Sequence, residues 1–188
     1  AARLAVSPQL RDILLDQYAA QADPTTVVPN ILTPAFEEAV PEDKAPGGPF
    51  VFLCAARISA EKNQEGLIRA FAQAFPPGGA GPDVELHFVG SGGVVVIEAL
   101  SQGAPVVATI CGGPEGILTP DSGILVPPGD DPAMARALRD MHGRAASFDR
   151  AKLRRDCLET YGHKAVVRQL ESIYARVRGK DDAGNGTA

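Results

Sequence analysis

Phe50-Val-Phe-Leu-Cys-Ala55, followed at once by Arg57-Ile-Ser-Ala-Glu-Lys62, is the stretch whose reading decides the fold. Six apolar or small residues without alternation predict a strand buried on both faces of a parallel sheet. Helical spacing takes over directly afterwards. Over 61–75, Leu67, Ile68, Ala70, Phe71, Ala74 and Phe75 make an inner face, and Pro76-Pro-Gly-Gly79 ends it.

The same strand-then-helix unit repeats downstream. VELHFV at 84–89 reads as a strand, Gly90-Ser-Gly-Gly93 as a turn and 94–102 as a short helix. PVVAT at 105–109 is a further strand, Gly112-Gly113-Pro114 opens a helical turn, and GILV at 123–126 is the last strand. Helices are expected at 130–141, 153–158 and 166–177, with Leu170, Ile173 and Tyr174 facing inward. Strands alternating with helices predict an α/β fold with a doubly wound, mainly parallel, Rossmann-like sheet.

Upstream, a short strand at 3–7 meets Ser7–Pro8, an N-cap followed by proline at the first helical position. Leu10, Ile13, Leu14, Leu15 and Tyr18 then recur at helical spacing up to residue 20, and 25–29 is a second short strand. Residues 1–29 thus form one piece. The Pro- and Gly-rich stretch 30–49 reads as a linker, 50–162 as the main domain, 163–178 as a C-terminal helix and 179–188 as a disordered tail.

Bulk properties narrow the function classes. A chain of 188 residues supports one domain with a real core. The formal net charge of −5 argues against nucleic acid as a partner. The local cluster Arg150, Lys152, Arg154 and Arg155 reads as the solvated face of a helix. Three widely spaced cysteines, none in C-x-x-C spacing, fit a reducing cytoplasmic setting better than a disulfide framework. No apolar run is long enough to span a bilayer. The opening AARLAVSPQL has neither a leader pattern nor an initiator Met, so the expectation is a segment of a longer chain.

In a doubly wound sheet ligands bind beyond the carboxyl ends of the strands, and three turns lie there. The first carries Arg57 and Lys62 between a strand and a helix start, where two cations beside exposed helix N–H groups could hold a diphosphate. An ordinary surface loop would show the same residues. The second, Gly90-Ser-Gly-Gly93, fails the G-x-G-x-x-G fingerprint because position 95 is Val95. Glu98, an acid on an otherwise apolar helix, could grip the two hydroxyls of a ribose, or simply face solvent. The third is Cys111-Gly-Gly-Pro-Glu-Gly116, where glycines would let a backbone approach a ligand closely or serve any tight turn.

Taken in order, Arg57-x4-Lys62, VVVIEALSQGAPVVAT, GGPEGI and GILVPPGD resemble the donor domain of the large retaining GT-B glycosyltransferase family, glycosyl transferases group 1 of the family 4 type. AARLAVSPQLRDILL looks like the end of that family's acceptor domain. VVPNIL resembles its crossover, with Ile31 where Gly is usual, and LESIYARV resembles its terminal helix. The resemblance implies a transferase moving a sugar from a nucleoside diphosphate sugar to a sugar or lipid-linked acceptor with retention. It implies no metal and no cofactor beyond the donor. Arg57 and Lys62 would be the catalytic cations at the diphosphate, and Glu98 would hold the ribose. Gly93, Val94 and Val95 would present backbone N–H groups, and Gly112 and Gly113 would complete the donor-binding set. Peripheral membrane association of an intact enzyme is a further possibility.

The departures carry equal weight. The family places two glutamates seven residues apart; Glu98 matches the second, and the first would fall on Gly90. About two βα units are also expected before the second glycine turn, so a segment is expected to be absent between Gly90 and Gly93, deleted or unrecorded. Most of an acceptor domain is absent too, and the fragment alone is expected to be inactive. The alternatives are a non-catalytic nucleotide-binding remnant and a GT-B sugar-nucleotide 2-epimerase.

Overall fold

The computed structural model describes residues 3–17, 25–42, 47–77, 82–90 and 94–184, with the side chains of 3, 17 and 177–184 left out. The described chain opens with β1 (Arg3–Ala5) and α1 (Pro8–Gln17). β2 (Thr25–Val27) pairs parallel with β1, and α2 (Pro34–Glu38) follows within the expected linker. The main domain then runs β3 (Phe50–Ala55), α3 (Gln64–Ala74), β4 (Val84–Val89), α4 (Val95–Ser101), β5 (Val106–Thr109) and β6 (Gly123–Val126). Three helices close the chain: α5 (Asp131–Arg144), α6 (Arg150–Tyr161) and α7 (His163–Gly184).

Every strand pair is parallel, so the α/β class read from the sequence holds. The expected single sheet does not appear among the described residues. β3 pairs with β4, β5 pairs with β6, and no ladder joins the two pairs. They are held together from beneath by helix packing. Ala70 and Ala74 of α3 meet Ala135 and Leu138 of α5, small residues that let the two helices approach closely. Phe52 of β3 packs into this cluster and also against the larger core of Ile97, Leu100, Leu118, Met141, Phe148 and Leu153. Each fully buried side chain of that size contributes about 1.5–3 kcal/mol.

The two pairs differ in cover. Along β5 all four residues are half-buried, and successive residues point to opposite faces, so both faces are covered. Along β3 burial alternates. Phe50 and Phe52 are half-buried and meet edge-to-face with ring centroids 4.9 Å apart, while Val51 is 40% and Leu53 63% exposed. The expectation that β3 is buried on both faces is therefore corrected: one of its faces is open.

Other boundaries shift for local reasons. The helix expected over 61–75 is split, because Asn63 takes a left-handed conformation (φ 47°) and its side chain caps α3 at the Gly66 N–H. Asp130 and Asp149 cap α5 and α6 in the same way, accepting from the Ala133 and Lys152 N–H groups. α7 continues to Gly184, well into the expected tail, and 185–188 lie outside the described residues. Ile173 and Leu170 pack with Val166 against Val28, but Tyr174 is exposed rather than inward. α7 thereby ties the C-terminus to the N-terminal piece, with the Gln169 side chain donating to the Val27 carbonyl.

Candidate nucleotide-sugar site

The three turns picked out by sequence all follow strand ends. Register pairs Ala55 with Val89, so the chain leaves β3 and β4 at the same end of their shared sheet. The Ala56 N–H still donates to the Val89 carbonyl, which carries the ladder up to the first residue of the cationic turn.

In that turn Arg57 and Lys62 are both exposed, and neither has a hydrogen-bonded or ion-paired side-chain partner among the described residues. Lys62 ends a short 3-10 turn, Ala60–Lys62, whose geometry is set by the left-handed Asn63 behind it. The Gln64 amide donates to the Arg57 carbonyl at 2.8 Å and pins the far side of the loop. The result is a turn presenting two exposed cations without a side-chain partner among the described residues. Some surface cations elsewhere are paired, and others, such as Arg136 and Lys164, are likewise without a side-chain partner among the described residues. Lys152 is paired with Asp156 at 2.8 Å, and Arg69 with Asp131 at 2.8 Å. Arg154 points inward, donating from Nη1 to the Ser101 carbonyl and from Nη2 to the Glu37 carbonyl, which corrects its reading as part of a solvated face.

Of the second turn, Gly93 and the junction residues Ser91 and Gly92 lie outside the described residues. Val94 precedes α4 and packs against the main core; Val95 is the first helical residue. Glu98 sits in the first turn of α4, half-buried, and its carboxylate has no partner among the described residues. Burial of the neighbouring Ile97 and Leu100, at 0% and 5% exposure, anchors the helix that carries it.

The third turn contains a feature that sequence reading missed. Gly112 takes φ +93°, and its N–H and that of Gly113 both donate to the Glu115 carboxylate, at 2.8 and 3.1 Å from Gly112 and 3.0 Å from Gly113. These amides hold the Glu115 carboxyl below its ordinary value, Gly112 contributing most. Gly112 and Gly113 thus lie in the turn after β5 with their N–H groups already engaged by Glu115. The signal available in the sequence was a glutamate just after a Gly-Gly pair within one turn.

Among the described residues no helix is long and apolar enough to cross a membrane. None of the curated proteins matches the chain in sequence. The family described as "Glycosyl transferases group 1" matches residues 91–143. Solved structures match over nearly the whole chain. A sucrose-phosphate synthase from Thermosynechococcus elongatus is 20% identical with a TM-score of 0.71, covering 95% of this chain and 59% of its own. The Anabaena protein HepE, solved with UDP, is 17% identical with a TM-score of 0.70, covering 92% and 63%. A glycosyltransferase from Rickettsia africae is 16% identical with a TM-score of 0.75, covering 93% and 62%. The chain thus spans about three-fifths of the length of these structures. From Val94 to Gly143 the described helix, strand pair and helix fall within the segment that matches glycosyl transferases group 1, and the chain as a whole shares the fold of part of these glycosyltransferase structures.

Proposed function

We propose that this chain is the donor-binding part of a retaining glycosyltransferase that takes its sugar from a nucleoside diphosphate sugar. The observation carrying this reading is the pair of exposed cations without a side-chain partner among the described residues, Arg57 and Lys62, on the turn after β3. Cations placed in this way are suited to a departing diphosphate, and a preorganised charge contact of that kind is a large catalytic term. Arg57 would fork onto the phosphate oxygens, and Lys62 would act as a point charge. The free carboxylate of Glu98 would accept from the two ribose hydroxyls. Gly93, Val94 and Val95 would lie along the phosphates and sugar, and Gly112 and Gly113 would admit the donor by close backbone approach. HepE has been solved with UDP and with UDP-glucose, which supports a uridine nucleotide as the first probe.

In this reading the sugar–phosphate bond breaks towards an oxocarbenium-like centre while its electron pair leaves with the diphosphate. Arg57 and Lys62 stabilise that charge. In this reading the 188 residues bind the donor and do not by themselves transfer its sugar.

The test is calorimetry of the chain with UDP and with uridine. UDP should bind at about millimolar Kd, and uridine should give no comparable heat. Lys62→Ala should abolish the difference, and Arg57→Lys should reduce it. Equal heats for UDP and uridine in the unaltered chain would end the assignment of a phosphate site.

A further inference from the structure

Among the described residues of the three turns, Glu115 is the carboxylate that is already occupied. Its oxygens sit in the concavity made by the successive N–H groups of Gly112 and Gly113. Successive backbone amides around a left-handed glycine form a nest for an anion. Here Gly112 is at φ +93° and an added Cβ at Gly112 or Gly113 would meet nothing within 4 Å, so the outer side of the turn is open. The 3-10 turn Pro114–Gly116 brings the carboxylate back over the two amides, and the Gly116 N–H closes it on the Gly113 carbonyl. Only backbone amides of this turn lower the Glu115 carboxyl; no charged side chain contributes. The neighbouring ionisable side chain in the turn is Cys111, which is exposed.

We propose that Glu115 is a positioning residue: it fills the anion nest of Gly112 and Gly113, fixes the turn after β5, and withholds those two amides from the donor's phosphates. The proposal rests on the donor-site reading for its last clause and is independent of it for the others. Phosphate recognition then falls to Arg57 and Lys62, while the Gly-Gly turn contributes shape. Removing the carboxylate should uncover a second anion site.

The experiment follows the backbone amides of the full chain by 1H–15N NMR. Between pH 3 and 7 the Gly112 and Gly113 amides should move along one common titration curve with a midpoint below the ordinary glutamate value, and Glu115→Gln should abolish it. This arm needs no variant for its main reading. With sodium pyrophosphate at pH 7, the two amides should stay in place in the unaltered chain and shift saturably in Glu115→Ala. Amides of the unaltered chain that ignore the carboxyl titration, or that follow pyrophosphate as strongly as those of Glu115→Ala, overturn the proposal. So does a folded Glu115→Ala chain whose amides remain unresponsive. If UDP perturbs neither the Arg57 side chain nor Val94 and Val95, the donor-site reading fails, while the pH titration still decides the nest.

Discussion

Cys157 shows how an environment sets chemistry at the scale of a single residue. It is buried in the main core, its thiol donates to the Ile97 carbonyl at 3.3 Å, and desolvation pushes its pKa up to about 11. Cys54 is raised by burial as well, whereas Cys111 is exposed. The thiolate is the reactive form. A short iodoacetamide pulse at pH 8, read by mass spectrometry, should therefore label Cys111 first. Cys157 should lag by about two orders of magnitude or more on thiolate fraction, and react quickly only in denaturant. Glu115 gives the matching acid-side expectation. Its folded pKa is depressed, so its hold on the turn is complete above the ordinary value of about 4.3 and is lost as pH falls through the lower folded value. The Gly112 and Gly113 amides should then become faster exchanging than those of β5. The residues marked by sequence, Arg57, Lys62 and Glu98, were legible because a charge at a strand end or on an apolar helix is conspicuous in one dimension. Glu115 was hidden by its own success: an acid among glycines looks solvated until its partners are located.

Helices and strands followed their local signals closely where caps were chemical. Asp130 and Asp149 each end a turn and start a helix with one side-chain bond. Signals failed where a long-range contact decided the element. Arg154 lies in a basic run that reads as a solvated stripe, yet its two bonds to the Ser101 and Glu37 carbonyls join α6 to α4 and α2. Hydrogen bonds from a charged donor contribute about 1.5–3 kcal/mol each, and leaving both carbonyls unmade is the dominant loss. Arg154→Ala should lower unfolding free energy by about 2–4 kcal/mol in urea, and Arg154→Lys should recover at most one contact. A neutral effect of Arg154→Ala would show that α6 is held by its apolar face alone. Gly103 is a second such place. It has φ +68°, and a Cβ there would stand 2.8 Å from the Arg150 carbonyl oxygen, so Gly103→Ala should cost about 1–3 kcal/mol by the same measurement.

At the scale of the whole molecule, the two parallel pairs and the open face of β3 have the largest consequence. Val51 and Leu53 project from one side of β3, and Val89 of β4 is 48% exposed. Apolar surface of this kind should bind an apolar dye. Leu53→Thr should reduce ANS fluorescence of the chain and slow its aggregation, while shifting stability by no more than about 0.5 kcal/mol because the side chain is already wet. A large stability loss would mean that Leu53 is covered in solution. The resemblance places about two further βα units between Gly90 and Gly93, and strands from such units would be the natural bridge between the pairs. The intact mass of the polypeptide, compared with that of its parent gene product, tests whether they are encoded. By itself the sequence determined the α/β class, the parallel sense of pairing, the order of elements and the position of the cationic turn. These depend on periodicity, caps and charge, which are local. Only the tertiary structure decided that the strands fall into separate pairs, that one face of β3 is bare, that Arg154 turns inward and that Glu115 closes on Gly112 and Gly113. Each of these depends on which distant or folded-back groups are present to satisfy an edge, a face, a cation or an amide.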